Sequence, residues 1–370
     1  MSKISSNDYT KQFFKSNKDH HYNLEKAADE YIVSSGSMIL DSYLGGGFGS
    51  GVHRFTGANE GGKTNEALAV MLNMLKTVDK SKGLYIKAEG RLSKDVQKRS
   101  GLKFVYDPEQ WVAGTCQIFE CNIFDVIYDY LRGLLRNNPE SEKFCIVIDS
   151  MDGLLPKAEV DKSTGEAAKV AGGALMTSDF LKRVSLGMSK FGHMCIMISQ
   201  IRANINVNPY AKGDPNNQTN SSGGNAALHY PDWILEFQKQ NKSDKILEKP
   251  NQQITPDNKV YGHMAKVLIC KSVNETTGQT VKYPIKHGRI DGKSIWIERE
   301  IVEMLLMWGY LEKSGAWFSV DKDVKEFLAS KDIEIKDKFQ GMASIYEYLE
   351  QDEATTEALK YFIKTNVLEK

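Results

Sequence analysis

The sequence has no net charge, few cysteines and no long apolar run. Its 370 residues carry 48 Lys and Arg against 48 Asp and Glu, so any hold on a polyanion must come from a local patch rather than from the chain as a whole. No apolar stretch approaches membrane-spanning length, and the opening Met1-Ser2-Lys3-Ile4-Ser5-Ser6 lacks the apolar segment of a secretory signal. Both absences point to a cytoplasmic protein with no membrane partner. The five cysteines fit the same compartment. Cys145, Cys195 and Cys270 lie inside apolar runs, where small buried hydrophobes with free thiols are expected. Cys116 and Cys121 form a lone pair with no second Cys or His pair at ligand spacing, which argues against zinc.

What the chain does contain is Gly57-Ala58-Asn59-Glu60-Gly61-Gly62-Lys63-Thr64, a full match to the G-x-x-x-x-G-K-[ST] phosphate-binding loop. Val52-His53-Arg54-Phe55-Thr56 before it reads as a short strand, and the apolar spacing from Asn65 onward reads as a helix. Glycines let backbone N–H groups curl around phosphates at a helix N-terminus, where the dipole favours negative charge. Lys63 adds a point charge near the outer phosphates, and the Thr64 hydroxyl suits magnesium. ATP and Mg2+ are the expected ligands, with Asn65 completing the loop's contacts.

Around this motif the length predicts one large core with a smaller unit beside it. Residues 1–32 are polar, with a helical pattern over 24–31, and read as an N-terminal arm. Residues 33–51 are a glycine-rich lead-in. From 83 to 281, buried-strand runs such as FCIVIDS, MCIMISQ, WILEF and KVLICK alternate with helical stretches. That alternation predicts an α/β fold, a mostly parallel twisted sheet flanked by helices, over 33–292. Two polar segments, 203–224 and 238–262, interrupt it as long loops. Residues 293–370 change to helical spacing and read as a small, mainly helical C-terminal domain.

Three further residues carry chemistry. Asp149 ends the apolar strand Phe144-Cys145-Ile146-Val147-Ile148, as expected of an acid that helps hold the metal. Glu89 follows the strand Leu84-Tyr85-Ile86-Lys87 and could polarise an attacking water; in isolation it reads as a solvated acid at a strand end. Gln200, after the strand 194–199, opens the first polar segment and could sense the outer phosphate, ordering or releasing 201–224. Taken alone, Gln200 is a polar strand exit and 201–224 a surface loop.

Taken together, these residues and their neighbours resemble a RecA-family recombinase of the divergent kind carried by bacteriophages. Ser35-Gly36-Ser37-Met38-Ile39-Leu40-Asp41 is similar to the family's lead-in, Pro156-Lys157-Ala158-Glu159 to the opening of its first DNA loop, and Gly223-Gly224-Asn225-Ala226 to the end of its second. Leu311 to Ser319 is similar to its post-core segment. The resemblance implies a RecA-type ATPase core that forms a homo-oligomeric helical filament on single-stranded DNA and exchanges strands with homologous duplex DNA, served by single-strand binding and loader proteins. Glu89 would be the catalytic acid, Gln200 the phosphate sensor, and Lys271 a cation reaching the neighbouring subunit's nucleotide. DNA contacts would fall on Ser178, Lys182, Arg202, Ile205, Gly223, Gly224 and Asn225. The chain departs from the pattern near the adenine, with Ser93 and Val96 for Asp and Tyr, at Val273 in place of the second trans cation, and at the interface aromatic after the second loop, which is His229. Alternative readings are a ring helicase on the same core, or a filament scaffold with little turnover.

Overall fold

The computed structural model describes residues 4–17, 30–90, 92–160, 172–203, 219–221, 226–249, 255 and 258–368, and only the backbone at 172–175, 202–203 and 219–221. The chain begins with a helix the sequence reading did not anticipate, α1 (Ser6–Ser16). Ser5 caps it by accepting the Asp8 N–H, and it buries no residue. The stretch 24–29 lies outside the described residues. Part of the glycine-rich lead-in is itself helical: α2 (Met38–Leu44) is capped by the Ser37 hydroxyl and ends at Gly45 with φ 70°.

The strands and helices then alternate. In order they are β1 (Gly51–Gly57), α3 (Lys63–Thr77), β2 (Ser81–Lys87), α4 (Lys94–Ser100), β3 (Phe104–Val105), β4 (Cys116–Glu120), α5 (Phe124–Arg136) and β5 (Lys143–Asp149). There follow α6 (Lys157–Val160), α7 (Gly172–Phe191), β6 (Met194–Ile198), β7 (Ile201–Ala203), β8 (Thr219–Ser221), α8 (Ala226–His229) and β9 (Trp233–Phe237). A hairpin edge closes the region: β10 (Lys245–Leu247), β11 (Val260–Lys271) and β12 (Thr280–Lys286).

Among the described residues these strands form a ten-stranded sheet in the order β10-β11-β9-β1-β6-β5-β2-β4-β3, with β12 also paired to β11. The middle of the sheet is parallel, and β9 to β12 meet antiparallel. The central strands are buried almost throughout because helices cover both faces, and β5 and β6 read as nearly unbroken apolar runs. Along β5 the side chains alternate: Cys145 and Val147 join one core with Leu68, Met71 and Leu235, while Ile146 and Ile148 join the other with Leu131, Leu181 and Met197. Each such buried Val or Ile contributes about 1.5–3 kcal/mol relative to exposure.

Three expectations are corrected. The segment 238–262 is not one open loop: Lys245–Leu247 pairs with β11, and Glu248 N–H donates to Lys259 O. Cys270 is exposed rather than buried, since the antiparallel strand β11 alternates where the parallel strands do not. β12 went unseen because Pro284 interrupts its run. In the main sheet it pairs only with β11, and Pro284 faces the other side, where its carbonyl accepts the Trp296 N–H at 2.8 Å, so the missing N–H costs no bond to β11.

Beyond the sheet come α9 (Ile297–Met307), β13 (Leu311–Ser314), β14 (Trp317–Val320), α10 (Lys322–Ala329), β15 (Lys338–Gln340), α11 (Met342–Gln351) and α12 (Glu353–Ile363). Helices dominate, as expected, but β13-β14-β15 form a small antiparallel sheet that helical spacing concealed. These elements enclose their own cluster, including Val302, Leu328, Leu359 and Ile363, into which Met38 of α2 also packs.

Candidate active site

Strands β1, β6, β5 and β2 lie side by side and parallel, with Phe55 opposite Ile198, Ile148 opposite Met197 and Asp149 opposite Lys87. Their carboxyl ends therefore present four sequence-predicted groups along one edge: the phosphate loop, Gln200, Asp149 and Glu89. Ligands in such sheets bind at this edge. The loop is shaped by close backbone approach. Gly57 has φ 139°, and a Cβ there would come within 2.1 Å of Phe237 O, the same carbonyl that accepts the Ala58 N–H at 3.3 Å. Gly62, at φ 105°, caps α3 and starts it directly at Lys63.

Lys63 is buried, and its Nζ donates to Gly57 O at 3.0 Å and Ala58 O at 2.7 Å, so the ammonium closes over the loop's own mouth. Burial lowers its pKa, and the carboxylates of Asp149, Asp152 and Glu89 oppose that shift. Thr64 Oγ1 donates to Asp149 Oδ2 at 2.7 Å, and the Tyr85 hydroxyl donates to the same oxygen at 2.7 Å. A hydroxyl and a carboxylate in contact at the start of a phosphate-loop helix form a hard-oxygen donor set, and the pair fits Mg2+.

Glu89 is solvent-exposed, just past β2. The Ser150 hydroxyl donates to its Oε1, and the Gln200 side chain bonds it as well. Partial desolvation, then the charges of Asp152 and Asp149, raise its pKa, which brings a carboxylate closer to the range useful for a base near neutrality. Asp152 was absent from the sequence reading, although it lies only three residues beyond Asp149. Its Oδ2 accepts the backbone N–H of Gln200 at 2.7 Å, and its Oδ1 is buried with no hydrogen-bond partner.

Other predicted residues stand apart. Lys271 Nζ donates to His229 O at 2.5 Å and Pro231 O at 2.7 Å, within its own chain, and Val273 is exposed. Ser93 caps α4 and Val96 packs partly into the core; the cleft beside the loop is lined instead by Asn65, Glu66, Arg99, Ser100 and Tyr283, among others. Ser178 and Lys182 sit one turn apart on α7, half-buried and exposed, while Phe180 and Leu181 are buried beneath them. Arg202 is described only as backbone, paired with Asn220, and Ile205, Gly223, Gly224 and Asn225 lie outside the described residues. Besides Asp152, the sequence reading missed Tyr85, Ser150, Phe237 and Arg54. Of these, only Arg54 left a signal, a charge in the middle of a buried strand.

The model of the RecA N-terminal domain matches residues 135–278, from the end of α5 to past β11. Protein RecA of Macrococcus caseolyticus is 29% identical over 300 residues, covering 78% of this chain and 72% of that protein. Protein RecA of Bordetella avium is 27% identical over 361 residues, covering 96% of this chain and 88% of that protein. Protein RecA of Chlorobaculum tepidum is 26% identical over 310 residues, 78% and 73% of the two chains.

Proposed function

We propose that this chain is a member of the RecA family, which its similarity to Protein RecA over most of its length supports, and that it is an ATP-dependent recombinase that assembles as a helical filament on single-stranded DNA and promotes pairing and strand exchange with homologous duplex DNA. The observation that carries the reading is the shared edge at which the phosphate loop, Asp149, Glu89 and Gln200 meet, with Gln200 leading directly into the polar segment after β6.

In this reading the loop's N–H groups and Lys63 hold the phosphates of ATP, and Lys63 exchanges its two carbonyl partners for phosphate oxygens. Thr64 and Asp149 hold Mg2+, which when bound neutralises charge on the outer phosphates. Glu89 accepts a proton from the water that attacks the terminal phosphorus, while the bond to the leaving ADP oxygen breaks. Gln200 hydrogen-bonds the terminal phosphate and returns to Glu89 once phosphate leaves, passing the change to 201–224. Ser178, Lys182, Arg202 and the Gly223-Gly224-Asn225 backbone bind DNA phosphates, and Ile205 enters between bases.

We assign 1–32 to an arm, 33–292 to the ATPase core and 293–370 to a C-terminal domain. The setting is the cytoplasm, that of a host if the gene is phage-borne, with single-strand binding and loader proteins as partners. No helix among the described residues is long and apolar enough to cross a membrane.

Steady-state ATP turnover with and without single-stranded DNA tests the reading. Turnover rises when DNA is added; a rate indifferent to DNA removes the proposed mechanism. Electron microscopy with an ATP analogue and DNA separates open filaments from the closed rings of a helicase.

A further inference from the structure

Arg54 is a charged residue in the middle of a parallel strand whose every position is buried, and it is itself only 1% exposed. A guanidinium is placed there at a large desolvation cost unless its donors are used. Burial accordingly pulls its pKa down to about 10, opposed by the charge of Asp152. Its Nε donates to Ser199 Oγ at 3.0 Å and its Nη1 to Ala227 O at 3.2 Å. Those two residues flank the segment 200–226: Ser199 is the last before Gln200, and Ala227 lies in the first turn of α8. The first stem is fastened a second time, because Ser199 N–H donates to Phe55 O at 2.9 Å beside Arg54. Gln200 N–H is then held by Asp152 Oδ2, at the edge where Glu89 and Lys63 stand.

One buried cation thus bonds a residue on each side of 200–226, and one carboxylate joins the nearer side to the phosphate site. We propose that Arg54 and Asp152 are positioning residues that make the two stems of 200–226 a single unit answering to the nucleotide: Arg54 ties Ser199 to Ala227, and Asp152 ties Gln200 to the group around Glu89. Asp152 Oδ1, buried and without a partner, gives the latch a second acceptor with which to follow Gln200 when it moves. The proposal deepens the reading of 201–224 as a DNA loop and rests on it for its purpose. The mechanical link itself is measurable without DNA.

The test is amide hydrogen exchange on the full chain, with and without a saturating non-hydrolysable ATP analogue. In the unaltered protein the analogue slows exchange at 199–203 and at 226–230 together. Arg54→Met, which keeps an unbranched apolar stem but removes the guanidinium and its donors, speeds exchange at both stems by about tenfold or more while β1 and β5 change little. Asp152→Ala leaves the analogue able to slow the first stem at most, and its effect at 226–230 disappears. A purely structural role for these residues does not remove the analogue's effect at the distant stem. Stems that exchange at the unaltered rate in Arg54→Met, or an acceleration spread evenly over the sheet, overturn the proposal. Should Arg54→Met fail to fold, Ser199→Ala and Asp152→Ala decide the matter: a nucleotide response at 226–230 unchanged in both overturns it. DNA-indifferent ATP turnover in the unaltered chain defeats the recombinase reading instead, and leaves the exchange result standing.

Discussion

Two groups of carboxyls occupy this chain and behave in opposite ways. At the sheet edge, Asp149, Asp152 and Glu89 surround Lys63 and are bonded by hydroxyls and a backbone N–H, with Glu89 open to solvent. Beneath α2 and α9, Asp41, Glu66 and Glu300 are buried with no cation among their hydrogen-bond partners. Asp41 accepts from the Ser34 hydroxyl and the Ser35 N–H, Glu300 from the Ser37 hydroxyl and the Met38 N–H, and Glu66 from the Tyr283 hydroxyl. Desolvation raises Asp41 to about 6 and both glutamates to about 8, so the two glutamates are largely protonated at neutral pH. An acid beside a cation at a strand end is placed for chemistry. The same acid among hydroxyls in the interior fixes one element to another, here the start of α2 to α9 through Glu300 and α3 to β12 through Glu66.

The largest effect expected from breaking this contrast is at Lys63. Lys63→Ala removes the positive group at the phosphate site, and ATP turnover is lost, as a phosphate-release assay reads; sustained turnover means the loop was misassigned. Glu89→Gln comes next. It keeps shape and hydrogen bonding but not basicity, so single-turnover hydrolysis falls by about 10²-fold or more while equilibrium binding of a fluorescent ATP analogue persists. Equal loss of binding and hydrolysis would make Glu89 structural.

The buried group is tested by pH. The Glu66 and Glu300 carboxyls stay protonated in the fold up to about pH 8, whereas in the unfolded chain they ionise near 4.5. Their contribution to stability is therefore complete below pH 4.5 and declines as pH rises from there through 8, by about 1.4 kcal/mol per pH unit for each group. Denaturant unfolding across pH 5–8 measures this slope, and Glu300→Gln makes it shallower by one group; an unchanged slope in that variant would place the titration elsewhere. The smallest expected effect is Arg202→Ala, which lowers the logarithmic salt slope of single-strand binding by about 0.7. An identical slope moves the DNA path away from Arg202.

Much of this was legible in the residues. The loop and the longer strands and helices from Gly57 to β9 announced themselves because parallel strands buried on both faces read as nearly unbroken apolar runs, and because only glycine fits the loop's backbone at Gly57; the short β3 and the pair β7-β8, whose second strand lies within the expected loop 203–224, did not. Elements built on exceptions were not legible. Pro284 hid β12, alternating exposure put Cys270 outside, and short antiparallel strands hid the C-terminal sheet.

The sequence by itself determined that the chain carries a nucleotide loop, which acids and which glutamine end the neighbouring strands, and that a long polar segment follows that glutamine. These are local patterns, set by backbone conformation and burial over a few residues. Only the tertiary structure decided which groups share an edge. It brought Asp152 to the N–H of Gln200, used Lys271 on carbonyls of its own chain, and laid Arg54 under residues 145 and 173 positions away. Such pairings depend on strand order, and strand order follows from how the whole core packs rather than from any one stretch of residues.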